Sequence, residues 1–282
     1  ITDGHIGLAL TIADNGYMGL DSISFLNFDE RWEITKSPMR LLPMGKTHLP
    51  ESSRLGASEI AASGYALAFY HEDGARQLSF HMDNFRGKDT IEGILTLTDE
   101  PIESIVIATP FDKPGHFYYN QKINCLRASG WIELGGEKFE LTPDRFFAVL
   151  DWGRGVWTYH NTWYWSSASG ELDGVPFGWN LGYGFGDTSA ATENALFYNG
   201  TLHKLRRPVR DAVSAGPRPR RLHGPEAFKI RPAPGLRKVL RNSRFGRWKC
   251  AFGARFLRIC GESGKQVVAR NGSLYLLAAA VE

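Results

Sequence analysis

Short apolar segments bounded by turn residues recur every ten to fifteen residues from Ile6 to Lys204, with no helical stripe between them. Apolar and polar side chains alternate in many of them, and a period of two places successive side chains on opposite faces of a strand. IGLALTIA (6–13) and YMGLDSISFLNF (17–28) flank Asp14-Asn15-Gly16, a hairpin signal. YALAFYH (65–71) and RQLSFHM (76–82) flank a turn at 72–75. Strands are expected at 90–98, 104–110, 128–134, 137–141, 146–153, 155–168, 177–185 and 194–199, with Gly135-Gly136 as one turn. The pattern predicts an all-β fold, an antiparallel barrel or sandwich in which several sheets have one wet face. A chain of 282 residues with 43% hydrophobic content has enough material for one large β domain or two smaller ones.

One ribbon departs from ordinary strand composition. Four of the eight tryptophans, Trp152, Trp157, Trp163 and Trp165, fall within fourteen residues, interleaved with Asp151, Arg154, His160 and Asn161. If 156–166 is a regular strand, Trp157, Tyr159, Asn161, Trp163 and Trp165 share one face. They would form an aromatic wall with one amide set in it, suited to an apolar or conjugated ligand, or to a sugar ring stacked on indole; plain core packing is the competing reading. Asp151-Trp152-Gly153-Arg154-Gly155 reads as a connection in which Asp151 and Arg154 pair, either structurally or to orient a ligand. Asn180, Asp187, Glu193 and Asn194 lie in a polar run around Gly182, Gly184 and Gly186. Glu193 is a candidate general acid facing Asp151, and His160 a candidate acid or base. Asn120, Gln121, Lys122 and Asn124 read as a connector whose amides satisfy backbone groups.

Several classes are excluded by what the motifs lack. GYGFGD is not followed by a helix in a Rossmann or P-loop arrangement, so nucleotide binding is rejected and no cofactor is expected. The eight histidines have no ligand spacing, so no metal site is expected, and three cysteines make no disulfide framework. No run of about eighteen apolar residues occurs, so no transmembrane segment is expected. A cytoplasmic location is the default for such a chain. The oligomeric state is not readable.

The net charge of +3 conceals a division: residues 206–282 carry 18 Lys and Arg against 4 Asp and Glu, and the rest of the chain is acidic. A basic tail usually points to nucleic acid. Here that partner is not expected, because the stretch has neither strand alternation nor helical stripe and reads as irregular.

DWGRGVW, NTWYW, NLGYGFGD and TENALFYNGTLHKL, with NQKINCLRASGWIELGG (120–136) and the opening ITDGHIGLALTIADNGYMGL, resemble a domain-of-unknown-function family, number 2804, over residues 1–205. That family is similar to the carotenoid-hydratase group, built from two lipocalin-like (calycin-type) halves that act on or carry apolar molecules. The resemblance implies a first β half over 1–150, lacking its own N-terminus, and a second half beginning at 151–205 and truncated. Residues 206–282 are expected to be out of frame. Read one nucleotide on, codons for Lys265–Ala269 give Asn-Arg-Trp-stop, an ending like the family's. It also implies an apolar small-molecule ligand, lipid or isoprenoid-like, and acid chemistry on an alkene. Asp151 or Glu193 would be the acid, with Arg154 or His160 orienting the partner. A carbohydrate-binding or glycan-processing β-sandwich is the alternative, and a non-catalytic interaction module the third.

Overall fold

The computed structural model describes residues 1–72, 74–158, 161, 163–205, 267–271 and 274–281. It is β throughout these residues and every pairing with a defined register is antiparallel. The strands divide into three sheets, and none of their strand orders closes on itself among the described residues. The chain forms two compact units, one from Ile1–Glu100 with Cys125–Val149, the other from Pro101–Asn124 with Leu150–Glu282.

The first unit opens with β1 (Ile6–Asp14) and β2 (Met18–Asn27), paired from Ile6↔Asn27 to Asp14↔Gly19. Their tip is tight because the Asp14 carboxylate accepts the Gly16 N–H at 2.9 Å and Met18 O accepts Asn15 N–H at 2.8 Å. β3 (Trp32–Lys36) and the short β4 (Met39–Leu41) both pair with β2. A meander follows: β5 (Gly56–Ala62), β6 (Tyr65–Glu72), β7 (Ala75–Arg86) and β8 (Asp89–Thr98). The alternation read in TIEGILTLT is realised in β8, where Ile91, Leu95 and Leu97 are buried while Ile94 is exposed. They join a core that includes Phe25, Leu67, Phe85 and Ile132.

β9 (Ile105–Pro110) belongs to the second unit. β10 (Phe117–Leu134) supplies strand to both, through Phe117–Asn124 to the second and Cys125–Leu134 to the first. At the change-over Cys125 has φ 66°, an unusual backbone for a residue with a side chain. β11 (Glu137–Leu141) returns along β10 through the Gly135-Gly136 turn, and β12 (Phe147–Val156) also pairs with β10. In the second unit follow β13 (Trp163–Leu172), β14 (Val175–Tyr183), β15 (Ala195–Tyr198) and β16 (Thr201–Lys204). The stretch expected to be an irregular, out-of-frame tail lies mostly outside the described residues. Within it the backbone forms β17 (Val267–Asn271) and β18 (Leu274–Val281), a hairpin whose second strand pairs with β13.

Three local readings are corrected. The connector at 120–124 is strand: it is the middle of β10, and Asn120, Lys122 and Asn124 are buried on one face of it. The segment 151–155 is strand as well. Its glycines signal close approach rather than a turn: a Cβ on Gly155 would lie 2.2 Å from Phe117 O, and one on Gly153 would lie 2.5 Å from the Tyr118 ring. Conversely, 155–168 is not one strand. β12 ends at Val156 and β13 begins at Trp163. Between them the Asn161 amide donates to Thr158 O at 2.6 Å and its oxygen accepts the Thr158 hydroxyl at 2.8 Å. Such local bonds compete with a sheet ladder, and the single face proposed for 157–165 does not form.

Candidate functional site

The interior of the second unit is unusually polar. Beside Phe177, Trp179 and Phe197 it buries Asn120, Lys122, Asn124, Ser166, Ser167, Asn180 and Asn194. β10 supplies four of the groups that matter. Tyr118, Asn120, Lys122 and Asn124 recur at period two and therefore share one face. Asn124 donates to Ser167 Oγ at 2.7 Å and to the backbone oxygens of Ala168 and Trp179, fixing β10 to β13 and β14.

Lys122 is the centre of the site. Its side chain is 5% exposed and its ammonium donates to Asp151 Oδ1 in a short contact. Glu193 Oε2 lies 3.8 Å from the same nitrogen. The ammonium sits over the Trp165 ring at 5.4 Å and the Tyr118 ring at 5.8 Å. A desolvated ammonium needs this kind of company, two carboxylates and two aromatic faces. Tyr118 Oη donates to Asp151 Oδ1 at 3.4 Å. Burial, then the Asp151 and Glu193 charges, push the Tyr118 phenol far up, so it stays protonated.

Glu193 is held from the other side. Its carboxylate lies against the backbone at Gly182: a Cβ there would fall 1.9 Å from Glu193 Oε1. The Gly182 N–H donates to Asn194 Oδ1 at 2.6 Å. Asn180 donates to Glu193 O at 3.1 Å and accepts from Trp165 Nε1 at 2.8 Å. Burial pushes the Glu193 carboxyl above its ordinary value, Lys122 opposes that, and the Asp151 charge adds to it. Gly182→Ala should therefore displace Glu193 from Lys122 without breaking the fold. The expected cost is about 1–2 kcal/mol, read as a lower urea midpoint with an unchanged denaturant slope.

Along one side of this polar centre runs an aromatic cluster. Phe185 packs edge-on against Tyr118 and Trp163, each at 4.9 Å, and against Phe111 at 5.2 Å. Trp157 meets Tyr118 at 5.9 Å. Tyr118, Trp157, Trp163 and Phe185 are all partly open to solvent.

The site residues expected from sequence are thus sorted. Asp151 and Glu193 meet on one ammonium. Trp165 lies under it, Asn180 and Asn194 bond around Glu193 and Gly182, and Trp157 and Trp163 belong to the aromatic cluster with Tyr118 and Phe185. Trp152 and Arg154 alternate with Asp151 along β12 and point to its other face, where Trp152 packs on Tyr119 at 5.9 Å. The partner of Asp151 is therefore Lys122 rather than Arg154. Asp187 is exposed and caps its own turn through the Ser189 N–H at 2.9 Å. Asn161 bonds to Thr158. Tyr159 and His160 lie outside the described residues. Sequence reading missed Lys122, Tyr118 and Phe185. Tyr118, Asn120, Lys122 and Asn124 are spaced by two, but Gln121 between them is also polar and masks the alternation.

A family model described as Domain of unknown function (DUF2804) matches residues 1–215. The chain belongs to that family. The residues of the Lys122 centre, up to Asn194, lie wholly within the matched region of this chain. No curated protein matches the chain in sequence. Among solved structures it is similar to kievitone hydratase from Nectria haematococca, at 12% identity and a TM-score of 0.36. The similarity covers 70% of this DUF2804 chain and 58% of the hydratase, so the chain spans less than two thirds of that protein. Among the described residues no helix is long and apolar enough to cross a membrane, and no group of three His, Cys, Asp or Glu is placed to hold a metal ion.

Proposed function

We propose that the second unit binds a small molecule with an apolar body and a polar end. The body lies on Tyr118, Trp157, Trp163 and Phe185, and the polar end reaches Lys122 and its two carboxylates. The observation that carries this reading is the placement of a 5%-exposed lysine between Asp151 and Glu193, directly beside half-open aromatic rings. Burying the ligand body on such rings is favourable by about 25 cal/mol per Å2 before ordering costs. Unmet hydrogen-bonding capacity also clusters here. Asn120 Oδ1, Asn124 Oδ1, Glu193 Oε2 and Asn194 Nδ2 are buried with no hydrogen-bond partner among the described residues. Buried polar atoms are otherwise nearly always paired, and a ligand hydroxyl or carbonyl would answer part of that demand.

Glu193 is the acid of this reading. A carboxyl raised by burial keeps its proton at a pH where exposed glutamates have lost theirs. It would deliver that proton to one carbon of an alkene. Water adds its oxygen to the other carbon and returns a proton to the carboxylate, so atoms and charge balance.

Titration with farnesol, followed by tryptophan fluorescence, tests the binding reading. Saturable quenching is expected, with roughly tenfold weaker binding in Trp163→Ala, the loss of one large aromatic contact. Trp32→Ala in the first unit should leave it unchanged. Quenching by soluble oligosaccharides, with none by farnesol, would favour the glycan reading instead. The raised Glu193 carboxyl also has a signed consequence. As pH climbs above 4.5, where the unfolded group ionises, the folded protein should lose stability until the folded group ionises too. Glu193→Gln should abolish that fall. Parallel melting-temperature profiles against pH for the two proteins would show that Glu193 is not raised.

A further inference from the structure

The first unit carries an apolar tip that its own core does not use. Leu41 is 82% exposed, and Tyr17, Met39, Leu42 and Met44 are each more than 60% exposed. They are neighbours. Met39 and Leu41 are alternate residues of β4, which pairs with the turn end of the β1–β2 hairpin through Leu20↔Met39 and Met18↔Leu41. Leu42 N–H donates to Tyr17 O and Met44 N–H to Gly16 O, both at 2.9 Å. Single exposed apolar residues are ordinary, whereas a contiguous group marks an interaction surface.

The tip is held in place rather than left loose. Leu42 has φ 51° and Met44 φ 49°, left-handed backbone that bulky side chains avoid. Arg40, between Met39 and Leu41, turns the other way and forms a bidentate pair with the fully buried Asp21. The Asp14 carboxylate accepts the Gly45 and Thr47 N–H groups and the Thr47 hydroxyl. Burial pushes the Asp14 carboxyl up, but these bonds and that of Gly16 outweigh it and hold it below its ordinary value. Both nearby acids are therefore occupied inside the loop. Lys36 and Lys46 remain exposed at its rim, and farther along Glu51 and Arg54 offset one another.

We propose that this tip docks on the surface of an anionic lipid bilayer. The aliphatic side chains enter the headgroup boundary, Tyr17 sits at its level, and Lys36 and Lys46 meet lipid charge. A second copy of the chain is the less suitable occupant, since a two-fold pair would set one basic rim against another. The inference is independent of the small-molecule reading, because every residue it uses belongs to the first unit.

Co-sedimentation of the full chain with phosphatidylcholine vesicles, with and without about one third phosphatidylserine, tests it. Binding to the anionic vesicles is expected, weakened by added salt. The double variant Leu41→Ser/Leu42→Asn should lose roughly tenfold or more in partitioning while keeping its melting temperature, because both side chains are in water and asparagine tolerates the left-handed backbone. Lys46→Glu should weaken binding to anionic vesicles alone. The proposal is overturned if the parent chain stays in the supernatant with both vesicles, or if the double variant sediments as well as the parent. A concentration-dependent dimer in vesicle-free buffer that the double variant abolishes would also overturn it, assigning the tip to self-association.

Discussion

Asp21→Ala is expected to cost about 3–5 kcal/mol of folding free energy, the scale of a buried ion pair broken from one side. Asp21 has no exposed surface. Its two oxygens take Arg40 Nε at 2.7 Å and Nη2 at 2.9 Å, and the Tyr65 hydroxyl donates to Oδ2 at 3.0 Å. The substitution leaves a guanidinium and a phenol facing a methyl group. Asp21→Ala/Arg40→Ala should be less damaging than the sum of the single changes, because the stranded cation goes with its partner. Urea denaturation of the four proteins measures the cycle. A loss below about 1 kcal/mol for the single variant would mean that water reaches Arg40 and that the clamp behaves as a surface pair.

The second large effect is expected at Gly130. It lies in β10 between Leu95 of β8 and Leu141 of β11, with φ 123°. A Cβ there would fall 2.1 Å from Ile94 O and 3.0 Å from Leu95 Cα, both backbone atoms that cannot swing aside. Gly130→Ala must therefore move strand against strand in the middle of a sheet, at about 3 kcal/mol or more. Gly136→Ala is the matched control. That residue also has positive φ, 86°, but nothing lies within 4 Å of the added carbon. It should cost only the backbone term, about 1 kcal/mol. Melting temperatures and soluble yield distinguish the two; equal losses would show that steric crowding at Gly130 is relieved cheaply.

Both glycines were visible in the sequence, yet only Gly136 announced its role. A Gly-Gly pair between alternating segments states a turn, since turn chemistry is local. Gly130, Gly153 and Gly155 serve a neighbouring strand that lies distant in sequence, and nothing local records that neighbour. The same distinction separates the rest of what was legible. The β1–β2 and β6–β7 hairpins and β8 follow from short-range alternation. Trp163, Trp165 and Asn180 could be singled out because aromatic and amide groups at a strand face have a cost that calls for explanation. Lys122 was not, although it anchors the site, because one lysine in a run with Asn and Gln looks like solvated chain. Its burial depends on Asp151 and Glu193, which are 29 and 71 residues away. The end of β12 at Val156 was missed for a different reason, because the Thr158–Asn161 bonds override a β-rich composition.

The route of β10 has a consequence for dissecting this protein. Each unit draws on two separated stretches of chain, with the backbone passing between them after Glu100, Asn124 and Val149. No single cleavage point therefore releases either unit whole: a fragment ending at Glu100 lacks Leu126 and Ile132, and one beginning at Leu150 lacks Tyr118 and Lys122. Recombinant dissection should follow the interleaving, either as the intact polypeptide or as permuted genes in which Pro101–Asn124 is rejoined to its own partners.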